Sequence, residues 1–248
     1  MNKKQTCIVR GDIGFTALVC VASMATLAGG ARLFWGKDAA GFFKGWVRNP
    51  LQIGAPAPCS VFVAKEITKH VQRCVAERDL TDMTPLRVLE VGGGSGIFSG
   101  KLEDILQEVE LPYTLDIIEI DAGLANTLQK RFVTNEHIKV HCLDAADWNP
   151  DYKYDFIVSS VPFTNLDTVT VERILTNYRS IVKPGGFISY VELMWFAPLK
   201  EMVLRGESKE KFVDKLNTIK HFREQFSVEK VDVWMNVTPA HIHHLQIS

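Results

Sequence analysis

The stretch Arg87-Val88-Leu89-Glu90-Val91-Gly92-Gly93-Gly94-Ser95-Gly96 decides the fold of this chain. Its apolar first half predicts a buried strand over Arg87–Val91, and the periodic residues after it predict a helix over Ile97–Val109. Glycines between a strand and a helix let the backbone approach a ligand closely, beside the free N–H groups of the helix N-terminus. The stretch therefore predicts a ligand-binding turn in an α/β protein.

The spacing of the turn distinguishes between two kinds of cofactor. A dinucleotide site needs a third glycine or alanine where Ile97 stands, so that pattern does not match. The observed Glu90-x-Gly92-x-Gly94-x-Gly96 resembles motif I of class I S-adenosylmethionine-dependent methyltransferases. Glu119, 23 residues after Gly96, ends the next predicted strand, near the usual position of a ribose-binding acid. The alternative is an ordinary glycine-rich turn without a ligand.

Strands and helices alternate along the rest of the chain. We predict an α/β fold with a Rossmann-like, doubly wound, mostly parallel seven-stranded sheet and an antiparallel edge strand, preceded by an N-terminal apolar helix. A turn is expected at residues 183–186, and helices at Val61–Glu77 and Leu199–Gln225. The predicted strands are Arg87–Val91, Tyr113–Ile120, Ile138–Leu143, Tyr154–Ser159, Phe187–Leu193, Ser227–Asn236 and His241–Ile247.

Composition restricts the possible partners. The 248 residues carry a net charge of -1, so phosphate neutralisation gives no reason to expect nucleic-acid binding. The five cysteines are scattered and form no C-x-x-C pair, which favours a reducing compartment over a disulfide framework or a zinc site.

The N-terminus predicts a membrane connection. Residues 13–31 carry no charge, and as a helix they would span about 28 Å, close to a bilayer core. A membrane anchor, a cleaved signal and a buried helix all remain open; a cytosolic cofactor favours an anchor with a cytoplasmic catalytic domain. We predict an apolar segment at 1–32, an interfacial helix and a loop covering the cofactor or substrate at 33–60, and the methyltransferase domain at 61–248.

Motif I and the strand ends supply the candidate cofactor ligands. Glu90 is expected near the amino group of the cofactor and Glu119 at its ribose hydroxyls. Asp144 and the backbone of Ala145 are expected at the adenine, although Asp144 also fits a helix N-cap, as Asp121 does. The predicted cofactor-binding residues are Glu90, Gly92, Gly94, Gly96, Glu119, Asp144, Ala145 and Ser159.

Two further stretches resemble bacterial phospholipid N-methyltransferases of the phosphatidylethanolamine type. They are Trp46-x-Arg48-Asn49-Pro50…Gly54-Ala55-x-x-Pro58-x-Ser60 and Val233-Trp234-x-Asn236-Val237-x-Pro239-Ala240. The resemblance implies transfer of methyl groups to a phospholipid amine, with a membrane phospholipid as both substrate and surface. Enzymes that methylate base amines resemble Asn-x-Pro-Tyr/Phe where this chain has Ser160, which weakens a nucleobase substrate.

The amine must lose its proton before it attacks, because a free alkylamine is mostly protonated near neutral pH. Tyr190, Glu192 and His241 are the candidate catalytic groups. His241, His243 and His244 show no obvious acidic partner, so we predict no metal. The alternatives are an rRNA adenine N6-dimethyltransferase, a small-molecule methyltransferase and a non-catalytic scaffold that binds the cofactor.

Overall fold

A computed structural model of the chain describes residues 59–79, 81–108, 111–236 and 238–248. The predicted segment 1–32 and all but the last two residues of segment 33–60 lie outside these ranges, as do Val109 and Val237. Within the described ranges, no helix combines the length and the apolar character that crossing a bilayer requires.

The described residues form seven strands and seven α-helices, with two short 3₁₀ turns at Ala145–Asp147 and Phe163–Asn165. The strands are β1 Leu86–Val91, β2 Tyr113–Glu119, β3 Ile138–Cys142, β4 Tyr154–Ser159, β5 Val182–Leu193, β6 Ser227–Val233 and β7 Ala240–Gln246. The helices are α1 Val61–Ile67, α2 Lys69–Glu77, α3 Ile97–Gln107, α4 Ala122–Arg131, α5 Thr168–Ile181, α6 Phe196–Val203 and α7 Gly206–Phe226.

The sheet has the order β3-β2-β1-β4-β5-β7-β6, and its first five strands are parallel. Strand β7 pairs antiparallel with both β5 and β6. The prediction of seven strands is confirmed. The antiparallel strand, β7, is not at the edge of the sheet as predicted but lies between β5 and β6. The edge strand β6 runs in the same direction as β1–β5. The connection from β6 to β7 is a hairpin, which reverses the chain and brings β7 back between β5 and β6.

Helices cover both faces of the sheet. Helices α1–α4 pack on one face, and α5 and α7 pack on the other. Strand β1 is buried along nearly its whole length, as expected for a central parallel strand covered on both sides. Alternate residues of a strand face opposite layers, so His244 faces α1 and α2 while His243 faces the α7 layer.

Three predicted elements differ locally. The helix over Val61–Glu77 is divided at Thr68, whose hydroxyl donates to the Ala64 carbonyl at 2.8 Å, a contact that commonly bends helices. The helical segment 199–225 is two helices, and Pro198 lies in the first turn of α6, where proline is tolerated. The 183–186 turn is a bulge within β5, since the pairing jumps from Tyr154–Val182 to Phe156–Phe187.

Candidate active site

A cavity opens at the carboxyl ends of the parallel strands, where β1 lies between β2 and β4 and the strand order reverses. Open α/β sheets bind ligands at this position. The glycine turn, the ends of β2 and β5 and the loops after β3 and β4 all contribute to the walls. Cys59, the first described residue, also lines the cavity.

The glycine turn needs its glycines for backbone geometry and for packing. Gly92, Gly94 and Gly96 have φ angles of 83°, 53° and 78°, in the left-handed region that disfavours side chains. A Cβ on Gly93 would lie 2.6 Å from both Ile117 and Leu128. Gly92 and Gly94 line the cavity, whereas Gly96 precedes α3 and does not.

Glu119 lies at the end of β2 and lines the cavity, as predicted. Its carboxylate accepts hydrogen bonds from the backbone N–H groups of Gly94 at 2.7 Å and Asp121 at 2.8 Å. Burial raises the pKa of Glu119 above its usual value, although these two hydrogen bonds oppose the rise. The same contacts hold the carboxylate against the glycine turn, where a ribose diol can meet its remaining lone pairs.

Glu90, which we expect near the amino group of the cofactor, does not itself line the cavity. It is fully buried below the glycine turn, and the Ser99 hydroxyl donates to it at 2.5 Å. Burial raises the pKa of Glu90 from 4.5 to about 8, so the group is mostly protonated at neutral pH. The parity of β1 explains the difference, because Glu90 points towards α3 rather than towards the sheet edge.

Asp144 and Ala145 follow β3 and both line the cavity. Asp144 is also the N-cap of the 3₁₀ turn, with one carboxylate oxygen accepting from Ala146 N–H at 2.8 Å. The N-cap alternative is therefore confirmed, and the second oxygen leaves an acceptor for an adenine amino group. Ile120 and Leu143 add apolar lining, and Ile120 is 46% exposed beside the cavity.

Ser159, a predicted cofactor-binding residue, does not line the cavity. It is fully buried, pairs with the Tyr178 hydroxyl at 2.9 Å and accepts from Val161 N–H. The next residue, Ser160, lines the cavity instead and donates to the Gly92 carbonyl at 2.6 Å. Neighbouring residues of a strand point to opposite faces of the sheet. The choice between Ser159 and Ser160 therefore required the exact end of β4.

Two of the three predicted catalytic residues line the cavity. Tyr190 and Glu192 project from β5 into it, whereas His241 lines a neighbouring groove and contacts Asp232 at 2.7 Å. His243 is not among the candidate catalytic residues that the sequence indicates, yet its Nε2 lies 2.9 Å from the Glu192 carboxylate. Side chains alternate between the two faces along β7, and this alternation could have indicated His243. Using it requires the β5–β7 register, which pairs Tyr190 with His243.

These side chains form one network behind the cavity. The Tyr190 ring stacks on His243 with centroids 4.8 Å apart, and its buried hydroxyl makes no hydrogen bond to the described residues. Arg223 of α7 donates to Glu192 at 3.2 Å. Burial would raise the pKa of Glu192, but His243 and Arg223 together lower it. Burial lowers the pKa of His243, so its imidazole is neutral near pH 7.

The charge of the cavity is one-sided. Glu119, Asp144 and Glu192 are the charged groups among the described residues that line it, and no lysine or arginine is among them. Such a lining fits a nucleoside cofactor with a positive sulfonium: a carboxylate for a ribose diol, a strand-end acid for an adenine amine, and apolar side chains for the ring. The residues present therefore fit S-adenosylmethionine.

Comparisons with known proteins agree with this geometry. Residues 88–186 match a family model described as a methyltransferase domain. A malonyl-[acyl-carrier protein] O-methyltransferase 1 of Ilyobacter polytropus is 26% identical over 160 residues, or 58% of this chain. The chain spans 58% of the length of that relative.

Solved structures show the same fold. The glycopeptide N-methyltransferase MtfA complexed with S-adenosyl-L-methionine matches with a TM-score of 0.52 and 11% identity, over 75% of this chain and 87% of its own. A S-adenosylmethionine-dependent methyltransferase from Clostridium acetobutylicum matches with a TM-score of 0.52 and 14% identity, over 74% and 91%. Residues 88–186 of this chain are therefore a methyltransferase domain, the described residues have the fold that S-adenosylmethionine-dependent methyltransferases share, and S-adenosylmethionine is the cofactor.

Proposed function

We propose that this enzyme methylates the amine head group of a membrane phospholipid such as phosphatidylethanolamine. A hydrogen bond between the two stretches that resemble phospholipid N-methyltransferases carries the proposal. Ser60 closes the first stretch, and its backbone N–H donates to the Asn236 side chain of the second at 2.8 Å, across 176 residues of sequence. Ser60 and Asn236 thus meet beside Cys59, which lines the cavity, and the rest of the first stretch lies outside the described residues.

The acidic lining supports an amine acceptor over a carboxylate. The curated relative from Ilyobacter polytropus is named for a malonyl group, whose carboxylate would need a cation to bind it. The described residues of this cavity offer carboxylates and no cation. Arg223 and His243 both contact Oε2 of Glu192, and its other oxygen can pair with a protonated head-group amine, so the lining favours an amine.

Two exposed indoles suit a lipid surface. Trp195 and Trp234 are 54% and 63% exposed, with ring centroids 6.3 Å apart, and both line the groove that shares Glu192 with the cavity. Trp195 has a φ of 63°, a strained conformation for a bulky residue. Tryptophan is enriched at membrane–water interfaces, where its ring contacts acyl chains and its N–H meets water. We infer that this groove faces the lipid.

The residues of the chain prepare the acceptor. S-adenosylmethionine, when bound, supplies an electrophilic methyl group. Glu192, anionic at neutral pH, pairs with the ammonium of the head group and accepts the proton that the amine must lose, while His243 Nε2–H, 2.9 Å from the carboxylate, donates to it and holds it in place. The Tyr190 hydroxyl donates a hydrogen bond that orients the acceptor at the cavity.

The test is transfer of labelled methyl groups from S-adenosylmethionine to vesicles that contain phosphatidylethanolamine. The full chain should label mono- and dimethylated lipid, and vesicles of phosphatidylcholine alone, which has no amine proton left, should stay unlabelled. Gly94→Asp should abolish labelling, because it puts a carboxylate beside Glu119 in the cofactor turn. Gly206→Asp is the matched control: its φ of 54° equals that of Gly94 within 1°, but it lies in open space outside the cavity.

The competing acceptors are tested in the same assay. Label in RNA, lost at higher salt, would overturn the proposal in favour of the rRNA adenine N6-dimethyltransferase. Label in soluble amines but not in vesicles would indicate a small-molecule methyltransferase. Cofactor binding without any labelled acceptor would indicate a scaffold.

We also propose that segment 1–32 anchors the enzyme, with the catalytic domain on the cytoplasmic side where S-adenosylmethionine is made. Uncharged residues 13–31 and the aromatic and basic residues that follow them support this arrangement. Intact mass of the membrane fraction tests it: a full-length mass supports the anchor, and a mass lacking the segment indicates a cleaved signal.

A further inference from the structure

A second cluster of chemically active side chains lies away from the cofactor cavity. His70 of α2, His244 of β7 and Glu229 of β6 bring one nitrogen or oxygen each to within 4.8 Å of one another. None of the three lines the cavity. They join the helix layer to the last hairpin of the sheet, two parts of the chain that are far apart in sequence.

The cluster has the spacing of a metal site. His70 Nε2 lies 3.7 Å from Glu229 Oε2, and His244 Nε2 lies 3.5 Å from Oε1 of Glu66 on α1. Ligand atoms around tetrahedral zinc are about 3.3–3.6 Å apart, given zinc–ligand bonds of about 2.0–2.2 Å. These two distances are therefore close to the edges of such a tetrahedron, and the ligand atoms of His70, His244 and Glu229 all lie within 4.8 Å of one another.

The two imidazoles are oriented and available. His244 is completely buried, and its Nδ1 pairs with the Ser189 hydroxyl at 2.8 Å, which leaves Nε2 pointing into the cluster. His70 stacks on Phe187 with centroids 4.4 Å apart. The Nε2 atoms of both histidines are buried and have no hydrogen-bond partner among the described residues. Metal-binding histidines are commonly oriented in this way, through a hydrogen bond of the other ring nitrogen.

We propose that His70, His244 and Glu229 bind a divalent transition metal of the zinc class, with Glu66 as the fourth ligand. Two imidazoles and carboxylates suit zinc better than magnesium or calcium, which prefer oxygen ligands alone. The metal would fasten α1 and α2 to the β6–β7 hairpin. The sequence did not indicate this site, because the acidic residues near His244 are Glu229 of β6 and Glu66 of α1 rather than residues of its own strand.

Lys69 is the competitor for this site. Its ammonium lies 2.6 Å from Glu229 Oε1 and 2.5 Å from Glu66 Oε1. A bound metal must displace the Lys69 ammonium from Glu66. Glu229 can keep its contact with Lys69 through Oε1 and bind the metal through Oε2. The lysine side chain is 28% exposed, so it has a route to solvent. Removing this competing charge should strengthen metal binding.

Calorimetric titration of the chelator-treated full chain with zinc alone tests the site. We expect one zinc per chain, and a rise in melting temperature of roughly 5–10 °C when zinc is about 100-fold above its Kd. His70→Gln and Glu229→Gln should each weaken binding at least tenfold, and Lys69→Gln should strengthen it. His221→Gln, an exposed histidine of α7, is the matched control and should bind as the unchanged chain does.

Cobalt substitution separates this site from the cysteines. The bound cobalt should show a tetrahedral spectrum without thiolate charge-transfer bands. Thiolate bands, equal affinity in His70→Gln and the unchanged chain, or no binding even by Lys69→Gln would each overturn the proposal. A variant that fails to fold shows no cooperative melting transition. If either His70→Gln or Glu229→Gln fails in this way, the other variant tests the site.

Discussion

Replacing Glu90 by glutamine should change how the stability of this enzyme depends on pH. Glu90 is fully buried below the glycine turn, and burial raises its pKa from 4.5 to about 8. The folded chain therefore keeps a proton between these pH values that the unfolded chain has released. Stability must fall as pH rises through this window, because the unfolded state then binds fewer protons than the folded state.

The size of the effect follows from the shift. A pKa that rises from 4.5 to about 8 corresponds to about 5 kcal/mol at most, using about 1.36 kcal/mol for each pKa unit. Glutamine keeps the carbonyl oxygen that accepts from Ser99 but cannot ionise. We therefore expect Glu90→Gln and the unchanged chain to be similar near pH 5, and the variant to be more stable by about 2–5 kcal/mol near pH 9.

Denaturant unfolding of the full chain at pH 5, 7 and 9 measures this difference. Glu77→Gln is the control, because Glu77 is exposed on α2 and pairs with Arg73 at the surface. Its effect should stay below about 0.5 kcal/mol at every pH. If the curves of Glu90→Gln and the unchanged chain run parallel from pH 5 to 9, Glu90 does not hold a proton in the folded state and the reasoning fails.

Three further substitutions test separate parts of the structure. Tyr190→Phe should lower kcat at least tenfold and leave the Kd for S-adenosylmethionine unchanged; a change in Kd alone would contradict its place at the acceptor. Ser159→Ala should leave cofactor affinity unchanged and cost about 1 kcal/mol of unfolding free energy, since it breaks the pair with Tyr178; weaker cofactor binding would restore the original prediction. The buried carboxylate of Asp116 accepts hydrogen bonds from His141, Tyr152 and Tyr154. Asp116→Ala should therefore lower the free energy of unfolding by about 3 kcal/mol, measured with denaturant. A loss below about 1 kcal/mol would show that these hydrogen bonds contribute little to stability.

The cofactor half of the site was predictable because it is local in sequence. A strand, a glycine turn and a helix are consecutive, and the left-handed φ angles of Gly92, Gly94 and Gly96 are properties that glycine alone supplies at low cost. Glu119, Asp144 and Ala145 follow from the rule that carboxyl ends of parallel strands share one edge. Ser159 does not line the cavity, because its side chain faces the opposite layer from that of Ser160 and pairs with Tyr178.

The proposed acceptor side of the cavity depends on contacts between distant elements. Glu192 of β5, His243 of β7 and Arg223 of α7 meet only because β7 is inserted beside β5 with one particular register. Sequence alone could not fix that register, so it favoured His241, whose side chain lies in the neighbouring groove.

By itself, the sequence determined the class of fold, the cofactor and the glycine turn between β1 and α3, because each of these is encoded in residues close together along the chain. The tertiary structure alone decided the position of the antiparallel strand, the partners of Tyr190 and Glu192, and the meeting of His70, His244 and Glu229. These features depend on strand order and register. One residue of register moves a side chain to the other face of the sheet, and no local pattern specifies that choice.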